Sequence, residues 1–174
     1  MIVDKVEKKV DNNHNIIILS DRKTSKKYAP IPILLVCSYV HHSLIKRKKR
    51  SKFGIVIESA EPREPHHFSM LFGYGASAIN PYMVNEIIEY HHKLGFLNEQ
   101  KLDKSIDNFN RAIAKGILKV MNKIGISTLH SYRGAQIFEA LGLRKKFVNK
   151  YFNNTPSRIE GAGLYVLEKE VSSR

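Results

Sequence analysis

Two short apolar runs bracketing a longer one limit this chain more than any other feature. Asn15 to Ser20 is almost uninterrupted in its apolar character and ends in Ser20-Asp21, and Phe53-Gly54-Ile55-Val56-Ile57-Glu58 repeats that pattern. Runs of this length with branched side chains suit strands of a parallel sheet, whose two faces are both covered. Between them Pro30 and Pro32 open an apolar segment reaching Ile45, long enough for a buried helix. Positions 15 to 58 therefore predict a strand, a helix and a second strand, joined by a right-handed crossover.

The same reading extends downstream. Residues 66 to 75 predict a short helix stopped by Gly73 and Gly75, Ser77 to Asn80 a brief strand, and Pro81 the start of a helix to about Leu94 with Gly95 as its stop. Asn98 to Asp107 is polar and predicts a loop. From Ile106 the apolar residues Phe109, Ile113, Ile117, Leu118, Val120, Met121 and Ile124 recur at helical spacing up to Gly125. Ile126 to Leu129 then predicts a short strand, Ser131 the N-cap of a helix through Ala140 closed by Gly142, and Arg144 to Phe152 an amphipathic helix. Ser157-Arg158-Ile159-Glu160 has the Ser-x-x-Glu spacing of a capping pair, with Gly161 and Gly163 leaving little helix to follow. The fold class expected is α/β, mainly parallel strands with crossover helices, forming a partial barrel-like or open-sheet domain.

With 174 residues the chain is sized for one core. No run reaches the roughly 18 apolar residues of a membrane span, and the first residues lack an apolar signal core, so a cytoplasmic location is expected. The single cysteine, Cys37, lies within ILLVCSYV and reads as a small buried hydrophobe. Alone it cannot make an internal disulfide or ligate an iron–sulfur cluster. Net charge is +13, with the basic residues densest from Leu44 to Lys52. That charge suits a polyanion, but no aromatic residue interleaves the cluster to stack on bases, and a solvated loop with helix ends accounts for it as well.

Histidine doublets at His41-His42, His66-His67 and His91-His92 invite a metal reading. Neighbouring helical residues point about 100° apart, so a doublet is a poor chelator, and partly buried histidines are the plainer expectation. Carboxylates follow both strong strands, Asp21 after the first and Glu58, Glu61 and Glu64 after the second. Ligands of parallel α/β folds bind at that end of the strands, and capping or solvated carboxylates are the alternative. Gly73-Tyr74-Gly75-Ala76 lacks the lysine of a phosphate loop and reads as a turn. Ser131-Tyr132-Arg133-Gly134 at a helix start could hold a phosphate, or serve as a cap with an ion pair between domains. No serine or cysteine has a recognisable base beside it.

Several segments carry a resemblance. IIILSDR (16 to 22), APIPILLVCSYVHHSLI (29 to 45), REPHHFSMLFGYGASAINPY (63 to 82), AKGILKVMNKIGISTLHSYRGAQIFEALGL (114 to 143) and SRIEGAGL (157 to 164) occur in order. Together they resemble the later half of the central domain of the glutamate synthase large subunit. The resemblance divides the chain into a polar N-terminal segment (1 to 14), a central-domain-like α/β region (15 to 164) and a C-terminal tail (165 to 174). It implies glutamate biosynthesis from glutamine and 2-oxoglutarate by a larger enzyme. That family adds a glutaminase domain, a barrel holding FMN and an iron–sulfur cluster, and a β-helix. No cofactor is expected in this chain itself, and the glutaminase and FMN-barrel portions become the expected partners.

The residues expected to be structural or interdomain are Asp21, Gly125, Ser131, Arg133, Gly134, Arg158 and Glu160, of which Arg133, Arg158 and Glu160 are those the resemblance implies join domains. Small departures from the family pattern occur at Ser43, Asn122, Ile124 and His130. Two origins fit the partial match, a split or decayed gene product and a fragment whose partner segments are encoded separately. The leading expectation is a scaffold that is not catalytic alone. A basic module binding nucleic acid non-specifically is the alternative, and a stand-alone oxidoreductase is disfavoured by the missing cofactor machinery.

Overall fold

The computed structural model describes residues 1–97 and 101–173. Its centre is a parallel three-stranded sheet, β1 (Ile16–Ser20), β2 (Gly54–Glu58) and β3 (Ala78–Asn80), in the order β1-β2-β3. Helix α2 (Ile33–Lys46) connects β1 to β2, and α3 (Pro65–Gly73) connects β2 to β3. Both crossovers follow the expected order, and the fold is α/β with open sheets. Helix α1 (Ile2–Asp11) precedes β1, and α4 (Tyr82–Lys93) and α5 (Leu102–Ile124) follow β3. The chain ends in α6 (Leu129–Tyr132), β4 (Ala140–Leu143), α7 (Lys145–Tyr151), β5 (Ser157–Ala162) and α8 (Leu164–Ser172). β4 and β5 pair in parallel as a separate two-stranded sheet with irregular register.

One core holds the main sheet. Ile17, Leu19, Ile55 and Ile57 pack against Val3, Val6 and Val10 of α1 and Ile33, Val36, Cys37 and Val40 of α2. A second cluster, Leu35, Tyr74, Phe147, Val148 and Phe152, joins α7 to α2. Two hydrogen bonds fix that junction, Ser38 Oγ donating to Tyr151 O at 2.6 Å and a 2.7 Å contact between Tyr74 Oη and Thr155 Oγ1. Helix α5 lies across α3, where a side chain at Gly116 would run into Pro65.

Several local expectations are corrected. Residues 1 to 14 are not merely a polar segment, because valines 3, 6 and 10 form a buried stripe on α1. A ten-residue helix is marginal alone, but burying a valine side chain contributes roughly 1.5–3 kcal/mol, and three of them hold it to the sheet. β1 is not covered on both faces: Ile16 and Ile18 are 64% and 62% exposed. The loop expected over 98–107 is helical from Leu102, while positions 98–100 lie outside the described residues. The expected tail contains α8 up to Ser172, and Arg174 lies outside the described residues.

No strand forms at 126–129. Gly125 adopts φ 77°, its N–H donates to Asn122 O, and Ile126 N donates to Met121 O, so Ile126 is consumed in the Schellman closure of α5. The helix expected from Ser131 to Ala140 stops at Tyr132, and its cap is Thr128, whose hydroxyl accepts from Ser131 N. Ala140 onward is strand, since its N–H donates to Pro156 O across to the β5 side. Ser157 to Glu160 belongs to β5 and caps no helix at its own N-terminus.

Candidate functional site

The three strands of the main sheet end together, and the residues after them form one polar network. Asp21, the residue after β1, receives Ser59 Oγ at 2.5 Å and Ala60 N at 3.1 Å, while its own N–H donates to Glu58 O. The Tyr82 phenol, at the start of α4, is pushed up to about 12 by burial first and then by Asp21. Ser59 N donates to Asn80 O, which ties β2 to β3 at this end. Asp21 and Ser59 between them thus tie together the ends of all three strands.

A second layer surrounds it. Glu58 accepts Ser20 Oγ at 2.6 Å and Arg22 Nε at 2.9 Å, and Arg22 Nη1 reaches Glu86 at 3.2 Å. The Arg22 guanidinium lies 4.0 Å from the centroid of the Tyr82 ring. Hydrogen bonds from Ser20 and then Arg22 hold the Glu58 carboxyl below its ordinary range. Glu61 accepts Ile33 N, capping the first turn of α2. Asp21, Arg22, Glu61, Tyr82 and Glu86 border a cleft of about 990 Å³ that also touches Arg63, His67 and Met70. Position and charge make it the natural ligand cleft of a parallel sheet. Chemically, however, its innermost carboxylates already accept hydrogen bonds from the chain itself.

The expected residues fall in different places. Asp21, Glu58 and Glu61 come together here, whereas Glu64 is an exposed partner of His67 at 3.4 Å. Gly125 ends α5 and borders no part of the cleft. Ser131 and Gly134 do not build a phosphate cradle: Ser131 N is taken by Thr128, α6 is one turn long, and Gly134 N donates to Gly73 O at 2.9 Å. Glu160 receives Lys145 N and so caps α7, and Arg158 reaches Glu139 at 3.4 Å on the surface. Arg133 turns inward, with a buried Nε that has no hydrogen-bond partner among the described residues.

A half-buried arginine paired with a buried histidine escaped sequence reasoning. Arg50, within the basic run, donates Nε to His41 Nδ1 at 2.9 Å, Nη1 to Phe53 O at 2.6 Å and Nη2 to Gly75 O at 2.7 Å. It ties the end of α2 to β2 and to the turn before β3. Burial first and then the Arg50 charge push His41 down to about 3. Cys37 donates weakly to Tyr74 O, and burial raises its thiol to about 12, so it is an inert core residue. The only advance signal for Arg50 was its residue type: an arginine can fork between several carbonyls where a lysine cannot.

Comparison with known proteins decides the lineage. The profile of the glutamate synthase central domain matches residues 1–144. This chain belongs to the glutamate synthase central domain family. It is 40% identical over 98% of its length to the glutamate synthase [NADPH] large chain of Bacillus subtilis, covering 11% of that protein. The glutamate synthase [NADH] of Saccharomyces cerevisiae is also 40% identical, with 98% of this chain and 8% of that protein covered. The ferredoxin-dependent glutamate synthase of Pyropia yezoensis is 38% identical, with shares of 91% and 11%. The chain therefore spans about a tenth of the length of the curated relatives it matches. The central-domain match begins at residue 1, so α1 belongs to the domain.

Proposed function

We propose that this chain is a portion of a glutamate synthase large subunit that serves as an interdomain scaffold and does no chemistry alone. The observation that carries this reading is the closed network at the strand ends. Asp21, Arg22 and Glu58 bind one another's elements where a catalytic α/β protein would keep its carboxylates free for substrate. Similarity along nearly the whole chain supports the parent enzyme, whose reaction turns glutamine and 2-oxoglutarate into glutamate. In this reading the partners are the glutaminase and FMN-barrel portions, and the location is cytoplasmic.

The chain alone is proposed to hold neither FMN nor an iron–sulfur cluster. One cysteine with a thiol raised to about 12 is a poor source of thiolate ligands. Purified chain should show no stoichiometric visible chromophore and form no glutamate from glutamine and 2-oxoglutarate. Added to a Bacillus subtilis large chain lacking the matching segment, it should restore glutamate formation. Turnover or a yellow chromophore in the isolated chain, or no restoration with the partner, would overturn the reading.

The nucleic-acid alternative loses part of its footing. Arg47 pairs with Asp4 and Glu7, Lys49 with Glu7 and Asp11, and Arg50 is folded inward. Half of the six-residue basic cluster is thereby spoken for. What remains supports weak, sequence-independent polyanion binding only.

A further inference from the structure

Among the described residues, β1 pairs with β2 on one side and with no strand on the other. Gly54 N donates to Asn15 O and Asp21 N to Glu58 O. In a parallel ladder this alternation turns the backbone groups of the odd-numbered residues toward β2 and those of Ile16, Ile18 and Ser20 away from it. The side chains alternate in the same way. Ile17 and Leu19 enter the core beneath α1 and α2, while Ile16 and Ile18 stand exposed on the opposite face. Parallel sheets normally have both faces covered, and an apolar edge left open is a pairing template.

The charge beside that edge is one-sided. A cleft of about 570 Å³ follows β1 and is bordered by Lys5 and Lys9 of α1, by His14 and by Lys23, with Tyr28 and Ile31 at its far side. Its one carboxylate, Asp21, is already bonded to Ser59 and Ala60. Helix α1 is divided by charge: Asp4, Glu7 and Asp11 turn to Arg47 and Lys49, and Lys5 and Lys9 turn to the cleft. Among the described residues none of Lys5, Lys9 and Lys23 has a carboxylate partner. A second copy of this chain would bring the same lysines against these, so the charge selects against self-pairing and for an acidic occupant.

We propose that the β1 edge binds an extended segment of a partner protein by strand addition, with acidic residues facing Lys5, Lys9 and Lys23 and apolar residues beside Ile16 and Ile18. The backbone groups of Ile16, Ile18 and Ser20 supply the pairing, and the alternation of acidic and apolar side chains supplies selectivity. The inference needs only the sheet and its lysines, not the scaffold role, so it stands or falls separately from complementation of the synthase.

The test uses the full chain, isotopically labelled, and fluorescein-tagged nine-residue peptides alternating valine with glutamate or valine with lysine. The Val-Glu peptide should bind and slow amide exchange at Ile16, Ile18 and Ser20 by about tenfold or more, an amount set by the closing of the edge. The Val-Lys peptide should do neither. The double variant Lys5→Glu, Lys9→Glu should weaken Val-Glu binding by about tenfold or more and favour the Val-Lys peptide. Ile18→Pro removes an outward N–H that no ladder bond uses, so it should abolish protection while leaving circular dichroism unchanged. Equal binding of both peptides, or unchanged affinity in the lysine variant, would overturn the acidic selectivity. Protection appearing with protein concentration and no peptide would instead make a second copy the occupant.

Discussion

Lowering the pH should destabilise this protein through His41, by an amount the structure sets. The ring is 7% exposed on α2, and Nδ1 accepts a hydrogen bond from a guanidinium that also serves two backbone carbonyls. Protonating Nδ1 would set an N–H against the Arg50 N–H inside the core. Burial first, then the charge of Arg50, with His42 and Arg133 behind it, lowers the native pKa to about 3. In the unfolded chain the same histidine titrates near 6.5, as an ordinary one does.

The native state therefore stays neutral while the unfolded state takes up a proton. This contribution is complete above about pH 6.5 and is lost as pH falls, at roughly 1.4 kcal/mol per unit, until the native ring protonates near pH 3. From pH 7.5 to 5.0 the loss should be about 2 kcal/mol, or about 4–8 °C in Tm for a chain of this size. Thermal unfolding followed by circular dichroism at both pH values reads it directly. His41→Asn keeps an acceptor for Arg50 but cannot titrate. Carboxylates such as Asp4, Glu7 and Glu58, whose pKa values are lowered, weaken both proteins alike at still lower pH, so the difference between the two proteins isolates His41. Parallel pH dependences, agreeing within about 0.5 kcal/mol, would refute the reasoning, as would a native His41 resonance titrating near pH 6.5.

Gly125→Val should cost about 1–2 kcal/mol from backbone strain alone, because φ is 77° and nothing lies within 4 Å of where a side chain would begin; Gly125→Asn should cost less than half of that, and equal melting temperatures would show that the turn is not strained. Asp21→Asn should lower stability by about 1–3 kcal/mol in denaturant titrations, since Ser59 Oγ and Ala60 N lose a charged acceptor; an unchanged midpoint would mean the strand ends hold together without it. Binding to duplex and single-stranded oligonucleotides should be weak, indifferent to sequence, and largely gone at physiological salt, because Lys46, Lys48 and Lys52 are the exposed remainder of the basic run; tight sequence-dependent binding at that salt would restore the nucleic-acid reading.

The parts legible in the sequence were those where one periodicity dominates. β1, α2, β2, α3, β3 and α4 each sit between clear apolar runs and Pro or Gly stops, and Asp21 was visible as the residue after a strand. What the sequence hid depends on contacts between distant segments. Tyr82 and Ser59 meet Asp21 only because three strands end together. Val3, Val6 and Val10 are at helical spacing, but the charged residues between them outweighed that stripe. The region after Gly125 misled because Ile126-Ser127-Thr128-Leu129 has strand-forming residues with no neighbouring strand to pair with. β4 and β5 depend on each other in the same way, and neither is long or apolar enough to announce itself.

Charge in this chain is organised, and its arrangement says more than its sum. A net +13 suggests a polyanion surface until the residues are placed. Asp4, Glu7 and Asp11 lie on one side of α1 and draw in Arg47 and Lys49, which fastens α1 to the end of α2 and removes two cations from the basic run. Arg50 goes further and turns inward, half-buried, where it holds the residue before β2, the Gly75 turn and His41 together. Exposed ion pairs of this kind are screened by solvent and contribute little stability each, so their larger consequence is directional. They leave Lys5 and Lys9 of α1 beside the unpaired edge of β1, whose Ile16 and Ile18 are exposed on the face opposite α1. Lysines along an open edge discourage like chains from adding to it, and the same lysines favour an acidic strand. That combination, an edge open to an acidic strand and closed to copies of the chain, is what the proposed strand addition requires.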